Sequence, residues 1–162
     1  MKILKPTDPG ALYLALNEQL MKQADERIVL QVGEDALHPY QALAIHDILD
    51  GFTTHLDIHV EMLFDCDAFT WCAISTIPVE KRTCLPSASL AFASLGASHV
   101  GDVSNMLISG QHLASVEDRL VAIIVNETAV EEATLRRLMQ ERRYLKAPEL
   151  IESGFFGGTV HV

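Results

Sequence analysis

Residues 27–32 read RIVLQV, residues 37–49 read LHPYQALAIHDIL, and residues 55–64 read HLDIHVEMLF. Together they decide the fold class. Arg27 to Val32 is β-branched and apolar, the pattern of a buried strand, and Gly33-Glu34-Asp35 breaks it. Leu37 to Leu49 predicts an amphipathic helix with Leu43, Ile45, Ile48 and Leu49 apolar, and Gly51 stands where a C-cap belongs. From His55 to Phe64 the chain alternates: Leu56, Ile58, Val60, Met62 and Phe64 point one way, and His55, Asp57, His59 and Glu61 the other. A strand, a helix and a second strand in succession imply an α/β domain with a largely parallel sheet.

The pattern continues outward. Met1 to Leu4 reads as a short strand. Asp8-Pro9 reads as the start of a helix reaching about Ala24, with Asp8 as N-cap and Pro9 in the first turn. A helix is expected over Ala68 to Ile77, stopped by Pro78. Short strands are expected over Lys81 to Leu85 and Ser89 to Phe92, then a loop over Gly96 to Gly101. Val103 to Glu127 carries the longest helical pattern. Helices follow at Glu131 to Gln140 and Ala147 to Ser153, and Thr159 to Val162 reads as a last strand. With no repeat and no Pro/Gly-rich linker, residues 1–162 read as one domain of repeated β-α units with flanking helices.

Composition narrows the function classes. The chain has 162 residues, and 12 basic against 22 acidic residues give 12 − 22 = −10. That charge argues against a general nucleic-acid binder. No apolar run is long enough to span a membrane, and the N-terminal stretch has no secretory h-region, so no membrane partner is expected. Three cysteines, Cys66, Cys72 and Cys84, form no CxxC pair; they fit buried apolar filler in a reducing, cytoplasmic setting. The charge is uneven. Nine acidic residues and no Lys or Arg lie between Arg27 and Lys81, while Arg136, Arg137, Arg142, Arg143 and Lys146 cluster. This reads as a dipolar surface, or as unlike patches that meet between subunits.

Site motifs are sparse. His55, Asp57, His59 and Glu61 share one strand face and have metal-ligand chemistry, but spacing of about 6–7 Å per pair along one strand does not close a tetrahedral shell. The expectation is therefore a solvated or interface face, with no metal. His38, His46, His99, His112 and His161 form no HExxH spacing. His46 and Asp47, neighbours on a helix, are expected not to face each other. Gly157-Gly158 has no phosphate-loop spacing, GxSxG is missing, and no cofactor is expected.

Four segments, in order and spacing, resemble the proteolytic subunit of the Clp protease (ClpP), of the ClpP/crotonase fold group. Lys81-Arg82-Thr83-Cys84-Leu85-Pro86 with Ser87 to Phe92 is similar to the family's KRxxLP strand leading to the catalytic histidine. Tyr144 to Glu149 with Ile151 to Phe155 is similar to its C-terminal aromatic, acidic and glycine segment. Arg27 to Val32, and Leu43 to Leu49, resemble its strand and its "IYDxM" helix. The resemblance covers nearly the whole chain from Arg27 and implies the ClpP/crotonase-like α/β fold.

The family's serine, histidine and aspartate do not carry over. The nucleophile turn aligns with Cys66-Asp67-Ala68-Phe69-Thr70, placing Thr70 at the serine position within an alignment that spans Ala68 to Thr70. Ala93 stands at the histidine position. Arg142 stands at the aspartate position, and a one-residue slip gives Glu141. The oxyanion loop aligns with Glu34-Asp35-Ala36-Leu37, without its glycines, and acidic groups there repel a developing oxyanion. The leading reading is a catalytically degenerate ClpP homologue, a self-associating structural or regulatory subunit, assembling with itself or with an active ClpP-type homologue. Family subunits stack through a handle, which here falls at Ser94 to about Leu113. The short segment before Arg27 leaves little for loops that dock an unfoldase ATPase. The alternative is a hydrolase with a relocated site, built on Thr70 with His99 or His112. A crotonase-type acyl-CoA enzyme is the third reading.

Overall fold

The computed structural model describes residues 1–23, 25–33, 36–96 and 101–160. Strand β1 (Lys2–Leu4) leads to helix α1 (Pro9–Met21), β2 (Ile28–Val32), α2 (Pro39–Phe52) and β3 (Ile58–Met62). Then come β4 (Cys66–Asp67), α3 (Ala68–Cys72), a 3₁₀ turn (Val79–Lys81), β5 (Arg82–Cys84) and β6 (Ser89–Ala91). The chain closes with α4 (Val103–Glu127), α5 (Glu132–Gln140), β7 (Tyr144–Lys146), α6 (Ala147–Glu152) and β8 (Gly158–Thr159). Five strands in the order β1-β2-β3-β5-β8 form one sheet, and every pair in it is parallel. A second sheet, β4-β6-β7, has one parallel and one antiparallel pair. The α/β class with a largely parallel sheet and flanking helices is therefore as the sequence implies. Among the described residues, no helix is long and apolar enough to cross a membrane.

Local chemistry explains where the elements begin and end. Asp8 accepts the Ala11 N–H at 2.7 Å and Pro9 opens α1, as expected of that pair. Helix α2 starts later than the apolar pattern suggests. His38 caps it: the imidazole Nδ1 accepts from the Tyr40 N–H at 3.4 Å, and the Gln41 side chain accepts the His38 N–H at 3.1 Å. Histidine is an uncommon cap, so this start is hard to read from sequence. The helix also runs through Gly51 to Phe52, because Phe52 is buried; the C-cap is Thr53, not Gly51.

Two more boundaries are corrected. The helix expected over Ala68 to Ile77 is α-helical only to Cys72. Beyond it, Ala73, Ile74 and Ser75 donate to carbonyls three residues back, the tighter 3₁₀ pattern. The alternating strand runs only from Ile58 to Met62: His55 and Leu56 turn back to the Phe52 carbonyl before it, and Phe64 beyond it does not join the inward face and is 57% exposed. Gly33 sets that ending. Its φ is +107°, and a Cβ there would lie 2.6 Å from the Phe64 carbonyl oxygen, so only glycine admits the close approach.

One core joins both sheets, and its centre holds a buried cation. Arg82 on β5 is 2% exposed. Its Nη1 donates to the Ser75 carbonyl at 2.9 Å, its Nη2 to the Gly154 carbonyl at 3.2 Å, and its guanidinium lies 5.0 Å from the Trp71 ring centroid. Trp71 meets Phe155 edge-on at 4.7 Å and donates Nε1–H to the Phe155 carbonyl at 3.2 Å, while Phe92 meets Phe155 at 5.8 Å. Burial pushes the guanidinium pKa down to about 10, so it stays charged at neutral pH. Arg82→Met leaves two buried carbonyls without donors and removes the cation–π contact. It should cost about 2–4 kcal/mol of stability in urea unfolding.

Helix α4 is longer than its support. Tyr40 on α2 stacks on His112 of α4 at 5.7 Å, and Arg119 of α4 pairs with Asp47 of α2 through two contacts of 3.0 and 3.1 Å. Both partners step by seven residues, so the two helices run parallel and in register. His46 Nδ1 also lies 3.1 Å from Asp47 Oδ1. The expectation that these neighbours do not face each other is thus overturned: Asp47 turns toward Arg119 on α4, and the ring follows it. Since α2 begins at Pro39, residues before His112 have no α2 surface to rest on. Every residue from Val103 to His112 is exposed, and this stretch projects about 14 Å.

Candidate functional site

The small sheet gathers Thr70, Ala93 and Arg142, the positions that the resemblance assigns to a triad, at one of its ends. Asp67 pairs with Ala91, and Ala91 with Tyr144. Thr70 lies three residues beyond Asp67, Ala93 two beyond Ala91, and Arg142 two before Tyr144. The Phe92 N–H to Arg143 carbonyl bond, 2.8 Å, ties the second and third positions together. Parallel pairing of β4 with β6 and antiparallel pairing of β6 with β7 produce this convergence.

Thr70 is buried, and its hydroxyl is fully committed. Asp67 is the N-cap of α3: its Oδ1 accepts the Thr70 N–H at 2.7 Å, and its Oδ2 accepts the Thr70 Oγ1–H at 3.0 Å. The Leu37 N–H donates to Thr70 Oγ1 at 3.0 Å. Leu37 is one of the two oxyanion-loop positions, Ala36 and Leu37, within the described residues. Thr70 and Leu37, which the resemblance assigns to the nucleophile and the oxyanion loop, are thus bonded to each other. An oxyanion donor must point at the oxygen that gains charge, and a nucleophile must give its proton to a base poised near neutrality. Here the backbone donor points at the hydroxyl, and the hydroxyl proton points at a helix-capping carboxylate.

The described residues leave little space beside them. A cavity of about 10 Å³ is lined by residues including Lys5, Gly33, Leu37 and Thr70. Ligand sites run to about 300–1,000 Å³. A cavity of about 180 Å³ beside it, lined by Lys5, Gln31, Val32, Leu63 and Phe64, does not include Thr70.

The other two positions of that alignment carry an alanine and an arginine. Ala93 is exposed. Arg142 is also exposed and has φ +51°, and it closes α5. Its N–H bonds to the Met139 carbonyl at 3.2 Å, and the Arg143 N–H bonds to the Leu138 carbonyl at 3.0 Å, the two bonds of a Schellman turn. Arg142 thus stands where glycine usually stands. Glu141, the neighbouring alignment choice, is the C-cap and lies 3.4 Å from Arg143.

Of the relocated-site candidates, His112 stacks on Tyr40, which stacks in turn on His38 at 5.2 Å. Thr70 Oγ1 is bonded instead to Asp67 and Leu37. His99, Glu34 and Asp35 lie outside the described residues. The sequence reading missed Asp67, whose carboxylate organises the site. The signal was the Asp-x-x-Thr spacing ahead of a short helix, an N-cap pattern.

Other candidate chemistry is absent or muted. Among the described residues, no group of three His, Cys, Asp or Glu could hold a metal. On the strand face proposed for one, Asp57 is taken by Lys81 at 2.7 Å, His59 at 3.0 Å and Arg27 at 3.5 Å. Cys66, Cys72 and Cys84 are free and buried, and burial pushes all three thiols up, away from reactive thiolate. Arg136, in the basic cluster, is held within its own chain by Asp118 at 2.8 Å and Glu132 at 3.0 Å. No family model matches the chain, and no curated protein matches it.

Two substitutions separate structure from catalysis at this site. Thr70→Val removes the hydroxyl but keeps the shape, leaving the Leu37 N–H and one Asp67 oxygen unpaired. It should cost about 1–3 kcal/mol in chemical denaturation. Arg142→Gly relieves a left-handed residue and should add about 1 kcal/mol.

Proposed function

We propose that this chain is a catalytically degenerate relative of the Clp peptidase subunit that works by assembling, as a structural or regulatory subunit in the cytoplasm. The observation that carries this reading is the closed set formed by the Leu37 N–H, the Thr70 hydroxyl and the Asp67 carboxylate. Convergence of Thr70, Ala93 and Arg142 at one sheet end supports the family layout. The side chains found there support loss of the reaction.

Self-association draws on α4. Val103, Met106, Leu107 and Ile108 are 50–72% exposed on the projecting stretch. Positions 103, 106 and 107 recur on one helical face. This stretch falls within the segment that the resemblance assigns to the handle, and a second copy or an active homologue of the same family is the partner it suits. An acidic chain with this surface has no reason to seek nucleic acid.

Two measurements test the reading. The purified chain should leave a fluorogenic peptide and a serine-reactive probe unchanged, while sedimenting as an assembly. Leu107→Asp with Ile108→Asp should shift it to smaller species without lowering its melting temperature, since neither side chain supports the core. Peptide cleavage that Thr70→Ala abolishes would establish the relocated hydrolase instead.

A further inference from the structure

The second surface of the five-stranded sheet is partly open among the described residues: Val29 is buried there, His59, Glu61 and Thr83 are half-buried, and Ile3 is exposed. Parallel sheets are built to be buried on both faces. One face, with Leu30, Val60 and Met62, lies in the core. Register places Ile3, Val29 and His59 in one row of the opposite face, and Gln31, Glu61 and Thr83 in the next. A concavity of about 270 Å³ opens on that face, and none of its lining residues comes from an α-helix.

Charge is segregated along the strands. Arg27, His59 and Lys81 gather around Asp57 toward the strand starts. Glu61, one row further on, is met only by the Gln31 amide at 3.5 Å and has no cation partner among the described residues. Adjacent rows on one face lie about 6–7 Å apart.

We infer that this sheet face binds a second copy of the chain, β3 against β3 and antiparallel, so that Glu61 of each copy meets His59 and Lys81 of the other. A two-fold axis across the strands produces that match, and one along the strands sets like charge against like. The inference rests on the self-assembly reading above but uses a surface distinct from α4.

Cysteine cross-linking tests it, because the native cysteines are all buried. His59→Cys and Glu61→Cys chains, co-expressed and treated with a short bis-maleimide, should give several-fold more cross-linked dimer than either variant alone. Glu61→Lys should sediment at low salt as smaller species than the parent. Combining Glu61→Lys with His59→Glu should restore the parent's size, with circular dichroism confirming that each variant is folded. Equal cross-linking from the single variants would overturn the antiparallel arrangement. Absence of cross-links, with Glu61→Lys sedimenting like an assembled parent, sinks this interface and leaves the α4 reading standing. A parent that is monomeric at tens of micromolar ends both.

Discussion

A buried guanidinium on β5, with no carboxylate in hydrogen-bond contact among the described residues, shapes the surrounding geometry through how it is satisfied. Arg82 answers its burial with two backbone carbonyls and an aromatic face. Those carbonyls belong to segments far apart in sequence, the turn after α3 and the turn after α6. Binding both fixes the end of the chain against the middle. Gly157 then donates to the Arg82 carbonyl at 2.8 Å, where a Cβ would strike the Val79 carbonyl at 2.4 Å. The last strand can join the sheet only because position 157 has no side chain. One Nη group, one indole and one glycine thus place β8 beside β5. The Arg82 Nε, buried without a partner, is the unsatisfied remainder of the arrangement.

A second constraint is a mismatch of lengths. Helices α2 and α4 are matched by two contacts a heptad apart, but α4 has 25 residues and α2 has 14. The excess leaves at the N-terminal end of α4. An isolated stretch of three turns is marginal in water, since helices shorter than about 12–15 residues gain little from propensity alone. Here the stretch continues a docked helix, so nucleation is already complete. Asp102 adds a cap by accepting the Asn105 N–H at 2.8 Å. A helix held this way can carry apolar residues outward without collapsing onto the body.

The fold was legible where periodicity is driven by burial. RIVLQV and the inward set Ile58, Val60 and Met62 could be read because a parallel sheet demands apolar residues there. The 25-residue α4 could be read because its pattern is long and its limits are marked by Asp102 and Thr128. Limits set by side-chain chemistry were less visible. A histidine cap at His38, a helix tightening to 3₁₀ after Cys72, and Phe64 turned outward by Gly33 all depend on contacts that no local pattern reports. The same division holds at the site. That positions 70, 93 and 142 lie at one end of the small sheet follows from strand pairing, which ordered segments report. That Thr70 is clamped from both sides could not be read, since Leu37 and Asp67 reach it across 33 and 3 residues by hydrogen bonds rather than by hydrophobic order.

That clamp also limits what chemistry Thr70 can offer. In a peptidase with only its histidine missing, nucleophile and oxyanion donor stay vacant, and restoring the base restores function. In this chain the donor at Leu37 is engaged by the hydroxyl it would have to serve beside. The hydroxyl proton is engaged by a carboxylate whose other oxygen caps α3. A histidine at position 93 would therefore find no free hydroxyl to activate. Freeing Thr70 would first uncap α3 and release the loop before α2, both of which the core needs. Leu37, Thr70 and Asp67 hold two helices to the sheet, so their chemistry and the stability of the fold cannot be varied independently.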